Sequence, residues 1–270
     1  AAYLARSLPA ERLNVAMGAY VAATVVGGLM GRLIGGFIHP PLHWRYAFVS
    51  VSVLIAAATL AALFWLPREQ RESPESGQVL GFRGLLSRAD LLRIYSVAFC
   101  AFFVFSALFN YLPFYLAGPP FDFSTNQVTL MYLTYLIGVV IAPLSGRLSN
   151  RLGNGATLAI GAAVFAAALG ATTLASAWAV GIGLGGVCAG FFAIHAAAVG
   201  SMNRRLQSSR GRANSLYILF YYIGGAAGIT VSGYAWQRCG WAGVSGLGLL
   251  LLAVIFAAGI VEARRPPRPG

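Results

Sequence analysis

The stretch that decides the fold covers residues 152–203 and reads LGNGATLAIGAAVFAAALGATTLASAWAVGIGLGGVCAGFFAIHAAAVGSMN. It contains no charged residue. As one helix it would be about 75 Å long, since an α-helix rises about 1.5 Å per residue, whereas the hydrocarbon core of a bilayer is about 30 Å thick. The stretch is therefore predicted to form two membrane-spanning helices joined by a tight turn near residues 176–178.

The rest of the chain is similarly apolar. Of its 270 residues, 58% are hydrophobic and 10% are charged, whereas about 25% are charged in an ordinary soluble protein. The net charge of +12 would indicate a nucleic-acid partner if it formed one patch, but the arginines lie between apolar runs. We therefore predict the lipid bilayer as the partner, and no nucleic acid.

The chain divides into eight predicted spans at its charges and at its Pro/Gly clusters, because a membrane helix needs about 20 mainly apolar residues. The predicted spans are residues 14–38, 46–66, 91–116, 126–146, 155–176, 178–202, 213–236 and 241–262. The predicted fold class is an all-α membrane protein with eight transmembrane helices.

The arginines predict the orientation of these spans. When successive loops alternate between the two sides of the membrane, one side holds Arg6, Arg12, Arg68, Arg71, Arg83, Arg88, Arg93, Arg147, Arg151, Arg204, Arg205, Arg210, Arg212, Arg264, Arg265 and Arg268. The other side holds only Arg45 and Arg238, and Arg32 lies within a span. By the positive-inside rule the first side is cytoplasmic. We expect a multi-pass protein of the plasma or inner membrane with both termini in the cytoplasm.

An internal repeat emerges when the chain is aligned with itself at an offset of 197 residues. The matched pairs, without a gap, are Ala16/Ala213, Tyr20/Tyr217, Gly27/Gly224, Gly28/Gly225, Gly31/Gly228, Gly36/Gly233 and Trp44/Trp241. Because the offset covers six spans, the first two spans are predicted to repeat the last two in a parallel six-helix unit.

The repeat divides the chain into three predicted parts. Residues 1–66 form the end of a first bundle, residues 67–90 form a polar cytoplasmic linker, and residues 91–270 form a complete six-helix bundle with a cytoplasmic tail. Residues 1–5 look like the tail of an earlier helix. We therefore expect an N-terminal part with four further spans to be missing from this chain.

Two six-span halves joined by a long cytoplasmic loop resemble the layout of the major facilitator superfamily. Three motifs support this resemblance. The glycine-rich run formed by Gly27, Gly28, Gly31, Arg32, Gly35 and Gly36 resembles the fifth-helix motif of that family's drug/proton antiporters, and its Gly-Arg pair resembles arabinose-efflux-type permeases. The run containing Gly146, Arg147, Asn150, Arg151 and Gly153 resembles the family's cytoplasmic loop motif, with Asn150 in place of the usual Asp. Residues 44–48, WRYAF, resemble the start of the sixth helix.

The resemblance implies a secondary active transporter that works by alternating access, with this chain corresponding to helices 5–12. It implies proton-coupled efflux of a small organic substrate by a monomer. It also implies that the first span packs against the fourth, with Gly31 and Arg32 near residues 127–143.

Polar side chains within the spans are candidates for a substrate cavity, because polar groups in hydrocarbon need partners. Asn110, Tyr135 and Tyr221 are predicted to line this cavity, whereas Tyr217 lies near a span end and fits the interfacial aromatic belt. His195 is either a hydrogen-bonded packing residue, which is the favoured interpretation, or a titratable group in a proton path.

Arg32 is the only formal charge well inside a span, and no Asp or Glu lies well inside any span. It either faces a partner or cavity, or extends to the outer interface. The neighbouring glycines, spaced four residues apart, predict close helix packing or a sliding interface between the halves.

The sequence contains no nucleophile triad, phosphate-binding loop or metal-ligand cluster, so no enzymatic activity, metal or cofactor is predicted. Two alternatives to a transporter remain open. One is a non-transporting membrane sensor or scaffold derived from a transporter fold. The other is an eight-span protein of another class that is complete as given.

Overall fold

The computed structural model describes residues 10–65, 80–206 and 208–264, with the backbone alone described for residues 10–22. Its α-helices are α1 (Ala10–Ile38), α2 (Trp44–Trp65), α3 (Phe82–Leu86), α4 (Ala89–Ala117), α5 (Thr125–Met131), α6 (Leu136–Leu152), α7 (Asn154–Ala171), α8 (Ala177–Arg204) and α9 (Arg210–Ala263). A 3-10 turn, Tyr132–Tyr135, joins α5 to α6, so that these two helices form one continuous span. The predicted all-α class is confirmed.

The charge-free stretch folds into two helices, as predicted. α7 ends at Ala171 and α8 begins at Ala177, with the Ser176 hydroxyl accepting a hydrogen bond from the backbone N–H of Ala179 at 3.5 Å. The turn lies slightly earlier than predicted, because Ser176 is the N-cap and Trp178 already belongs to α8.

The longest helix, α9, contains both of the last predicted spans. Its 54 residues are about twice what one crossing needs, and Gly240 interrupts it with a non-helical φ of 55° and ψ of −139°. Glu262, near its end, pairs with Arg205, which precedes its start. The chain therefore folds back at Gly240, and α9 consists of two arms, residues 210–239 and 241–263.

The described helices account for the eight predicted spans. Six of them are long and apolar enough to cross a membrane. One of these six, α9, has two arms, and α1 adds a further span with its apolar segment at Ala23–Ile38. This agrees with a polytopic helical membrane protein.

α4 is the most buried of the spans whose side chains the structure describes, and the first arm of α9 packs closely against it. A Cβ atom on Gly224 would lie 2.2 Å from the carbonyl oxygen of Phe99, and one on Gly228 would lie 2.3 Å from that of Phe103. Only glycine permits this approach of the two backbones.

α1 and α2 lie at one side of the other spans. None of the described residues of α2 is buried, and α2 packs mainly against α1. α1 in turn contacts α5, the 3-10 turn and α6. The predicted contact between the first and fourth spans is therefore present.

The part of the predicted linker that is described docks on the start of α9. Leu85 of α3 is fully buried. The Leu80 backbone N–H donates to the Ser209 hydroxyl at 2.9 Å, and Arg212 donates to the Leu80 carbonyl at 3.2 Å. Residues 1–9 and 66–79 lie outside the described residues, so the three-part division of the chain stays a prediction.

Candidate functional site

Arg32 of α1 points into the other helices. Its Nη1 donates a hydrogen bond to the Phe109 carbonyl oxygen of α4 at 3.3 Å. Its guanidinium carbon lies 4.9 Å from the Tyr132 ring centre and 5.7 Å from that of Tyr135. Of the two interpretations left open by the sequence, the structure shows the one in which Arg32 faces a partner.

The acceptor of this hydrogen bond is available because of Pro113. In a helix the N–H of residue 113 would bond to the Phe109 carbonyl, but proline has no N–H. The Phe109 carbonyl therefore lacks its usual donor and accepts from Arg32 and, also at 3.3 Å, from the Tyr132 hydroxyl. The sequence signal for this site is a proline four residues after Phe109.

The glycine-rich motif of α1 is mostly uncovered within the described residues. A Cβ atom on Gly27, Gly28, Gly31 or Gly35 would meet no atom within 4 Å, whereas one on Gly36 would lie 2.0 Å from Thr129 Oγ1. The predicted approach to the fourth span is made by Arg32 and Gly36. Gly31 instead lines, together with Arg32, a cavity of about 340 Å³ between α1, the C-terminal end of α4 and α5.

Three of the four cavity candidates meet around two phenylalanines. Phe105 and Phe191 stack with ring centres 4.0 Å apart. The Tyr135 ring lies 5.3 Å from that of Phe105, and the His195 and Tyr221 rings lie 6.4 and 6.3 Å from that of Phe191. The structure thus places Tyr135, His195 and Tyr221 in one aromatic cluster, which we call the Phe105 cluster.

Asn110, the fourth cavity candidate, makes a local contact. Its amide donates to the Ser106 carbonyl of its own helix at 2.9 Å. The side chain is half-buried, and within the described residues no hydrogen bond joins it to the Phe105 cluster.

His195 has a hydrogen-bond partner that the sequence did not indicate. Its Nδ1 lies 3.0 Å from the Tyr217 hydroxyl, and Tyr217 is only 3% exposed. The interpretation of Tyr217 as an interfacial belt residue was wrong, because this tyrosine faces α8 from within the packed helices. The rotation of α9 about its axis decides whether Tyr217 faces α8, and the uniformly apolar sequence of this helix does not reveal that rotation.

The motif predicted as a loop is largely helical. Gly146, Arg147, Asn150 and Arg151 belong to α6, which continues to Leu152, and Gly153 alone connects α6 to α7 with φ of +86°. The helix continues because no residue before Gly153 breaks it, and arginines are favourable near a helix C-terminus.

A charged cluster joins three helices at the arginine-rich end of the spans. Asp90 accepts from Arg88 at 2.7 Å and from Arg205 at 3.3 Å, while Glu262 pairs with Arg205 and lies 3.8 Å from Arg93. The hydrogen bond to Asp90 raises the pKa of the Arg88 guanidinium. This cluster was not predicted from the sequence, although Asp90 and Glu262 are two of only seven acidic residues.

The apolar spans, the close glycine contacts and the inward-facing Arg32 define a polytopic α-helical membrane protein. The family model of the Major Facilitator Superfamily matches residues 1–178 and 119–270. The chain belongs to this superfamily.

Curated relatives are similar over nearly all of the chain. The inner membrane transport protein YnfM of Escherichia coli (strain K12) is 30% identical over 97% of this chain and 64% of its own length. The uncharacterized MFS-type transporter YybF of Bacillus subtilis (strain 168) is 27% identical, over 94% of this chain and 64% of its own length. The chain therefore spans about two-thirds of the length of these relatives.

Solved structures share the fold. The Escherichia coli fucose:proton symporter FucP superposes with a TM-score of 0.61 at 19% identity, covering 82% of this chain and 57% of FucP. At this identity the likeness describes the fold alone.

Proposed function

We propose that the complete gene product is a secondary active transporter that exports small organic molecules in exchange for protons. It acts as a monomer in the inner membrane with both termini in the cytoplasm. The name of YnfM, an inner membrane transport protein, supports transport as the activity. The name of FucP, a fucose:proton symporter, offers a precedent for proton coupling on this fold.

The observation that carries the proposal is the hydrogen bond between His195 and Tyr217 beside the Phe105 cluster. His195 is the only histidine within a predicted span, and the only Asp or Glu in the predicted spans is Glu262, at the very end of the last one. Imidazole is the side chain that ordinarily changes charge between pH 5 and 8. Among the residues of these spans, His195 is therefore the group best suited to take up and release the coupling proton.

Tyr217 suits His195 in both protonation states. A tyrosine hydroxyl donates to the unprotonated nitrogen of a neutral imidazole and accepts from the N–H of an imidazolium. The partner thus remains bonded while the proton moves. The hydrogen bond also holds the imidazole next to the Tyr221 ring, 5.6 Å away between ring centres.

The walls of the proposed substrate path are aromatic and uncharged. Phe102 stacks on Tyr221 with ring centres 3.8 Å apart, and Phe105 stacks on Phe191. Offset stacking favours flat apolar or aromatic ligands. We propose Tyr135, His195 and Tyr221 as substrate-facing residues, with Asn110 on the same path.

Proton movement tests the proposal with a panel of candidate substrates. The complete gene product is reconstituted into vesicles that contain a pH-sensitive dye, and flat aromatic compounds are supplied one at a time on one side. If the protein exchanges substrate for protons, at least one compound drives protons in the direction opposite to its own movement. The His195→Asn variant should abolish this proton movement. Compound-driven proton movement that survives His195→Asn contradicts the role of His195. A complete lack of movement with every compound favours a non-transporting sensor or scaffold.

A further inference from the structure

A second cavity, of about 290 Å³, lies at the arginine-rich end of α6. Among the described residues it is lined by Leu144, Arg147, Leu148 and Arg151. Residues three and four apart share one face of a helix. The four side chains therefore form a single strip in which leucine and arginine alternate, with Leu144 at the end nearer the apolar part of α6 and Arg151 at the other end. We call it the α6 strip.

The two arginines of the α6 strip make no hydrogen bond or ion pair with any residue that the structure describes. Both side chains are exposed. Elsewhere at this end of the spans, Arg88 and Arg205 bind carboxylates. Asn150 lies between Arg147 and Arg151 in the sequence and carries no charge. Two neighbouring positive charges thus remain without a counter-charge from the described protein.

We infer that the α6 strip binds one anionic phospholipid. The phosphate lies between Arg147 and Arg151, because guanidinium groups bind phosphate through paired N–H donors. An acyl chain lies along Leu144 and Leu148. Basic pockets at the membrane surface bind anionic headgroups in this way.

A lipid fits the strip better than a free phosphate ion. Leu144 is 45% exposed and lies one turn farther into the apolar part of α6 than Arg147. A soluble ion would leave these leucines uncovered, whereas an acyl chain continues from the headgroup in the same direction. The strip thus has an apolar end at Leu144 and a charged end at Arg151, which is the order of an acyl chain and its headgroup.

Lipid titration of the complete gene product, purified in a neutral detergent, tests the inference. Phosphatidylglycerol should raise the unfolding temperature saturably, and native mass spectrometry should detect its binding, whereas phosphatidylcholine should have neither effect. The double variant Arg147→Gln/Arg151→Gln should bind phosphatidylglycerol about tenfold more weakly, since each arginine near an anionic surface contributes substantially. Glycerol phosphate should bind far more weakly than the lipid.

The matched control is Arg83→Gln/Arg264→Gln. This variant removes the same charge from the same end of the spans, at two other exposed arginines without a described partner, and should leave lipid binding unchanged. Equal loss in both double variants would show diffuse charge attraction and overturn the site. Glycerol phosphate binding as tightly as the lipid would overturn the acyl-chain assignment.

Asn150→Asp provides a test that keeps both arginines. A carboxylate at this position is three residues from Arg147, on the same face of the helix, so it supplies a counter-charge to that arginine. Phosphatidylglycerol should then bind several-fold more weakly, with the fold intact by circular dichroism. Unchanged lipid affinity in this variant would contradict the proposed pairing.

Discussion

At the scale of single residues, the environment of Arg32 depends on a proline in another helix. Pro113 leaves the Phe109 carbonyl without its helical donor, and Arg32 and Tyr132 supply donors from α1 and the 3-10 turn. A buried carbonyl without a partner costs about 1–3 kcal/mol. Arg32 of α1 thus supplies a hydrogen-bond donor that α4 lacks.

We predict that Arg32→Lys weakens the contact between α1 and α4. Lysine keeps the charge, but its compact ammonium lacks the planar fork that bonds a carbonyl while it stacks on Tyr132. The expected loss is about 1–2 kcal/mol in unfolding free energy, given the values of cation–π contacts and hydrogen bonds. Thermal unfolding in detergent measures it. Arg45→Lys is the control, since Arg45 lies over the exposed Trp44 ring, and an equal loss there would contradict the prediction.

The hydrogen bond between His195 and Tyr217 gives a second prediction at this scale. Tyr217→Phe removes the hydroxyl and leaves His195 Nδ1 without its described partner, at a cost of about 1–3 kcal/mol for a buried polar group. Tyr222→Phe serves as the comparison, because Tyr222 is 64% exposed. Chemical unfolding of both variants measures the two losses in unfolding free energy. A loss in Tyr222→Phe as large as that in Tyr217→Phe would show that the buried bond is not the cause.

At the scale of elements, backbone contact separates the glycines that pack from those that do not. Gly224 and Gly228 approach carbonyl oxygens of α4, and these backbone atoms have no side-chain freedom to move away. Gly246, on the second arm of α9, is exposed and would meet no atom within 4 Å. Replacing glycine by alanine is therefore expected to have opposite effects on stability at these positions of the same helix.

We predict that Gly224→Ala separates α9 from α4 and lowers stability by about 1–3 kcal/mol, the usual cost of overpacking. Gly246→Ala should be neutral or stabilising by up to about 1 kcal/mol, because alanine favours the helix over glycine. Detergent unfolding of the two variants measures the difference. Tolerance of alanine at residue 224 would contradict the close backbone approach.

At the scale of the whole molecule, the repeat relates covered glycines to uncovered ones. Gly27 and Gly31 correspond to Gly224 and Gly228 at the offset of 197 residues. The second pair lies against α4, whereas the first pair meets no described atom. If the two halves share one architecture, a helix of the complete gene product covers Gly27 and Gly31 as α4 covers their counterparts.

This relation predicts that Gly27→Ala destabilises the complete gene product as much as Gly224→Ala does, by about 1–3 kcal/mol. Unfolding of the complete gene product gives the comparison. A Gly27→Ala variant that behaves like Gly246→Ala would contradict the repeat.

The sequence by itself determined the number of spans and the fold class. Both depend on the lengths of the apolar runs and on the positions of the charges that interrupt them. Neither depends on which helices are neighbours in the folded protein. The turn before α8, the break near Gly240 and the contact of α1 with the fourth span followed from these local signals and from the family resemblance.

Only the tertiary structure decided which face of each helix meets another helix. These helices are apolar all round, so periodicity does not distinguish a lipid-facing side from a protein-facing side. That is why the sequence places Tyr217 at the interface rather than beside His195. The family resemblance brings Arg32 near residues 127–143, which include Tyr132 and Tyr135, but it does not indicate the hydrogen bond to the Phe109 carbonyl. A side chain's partner depends on the rotation and separation of two helices, and these are fixed by contacts such as Gly36 with Thr129.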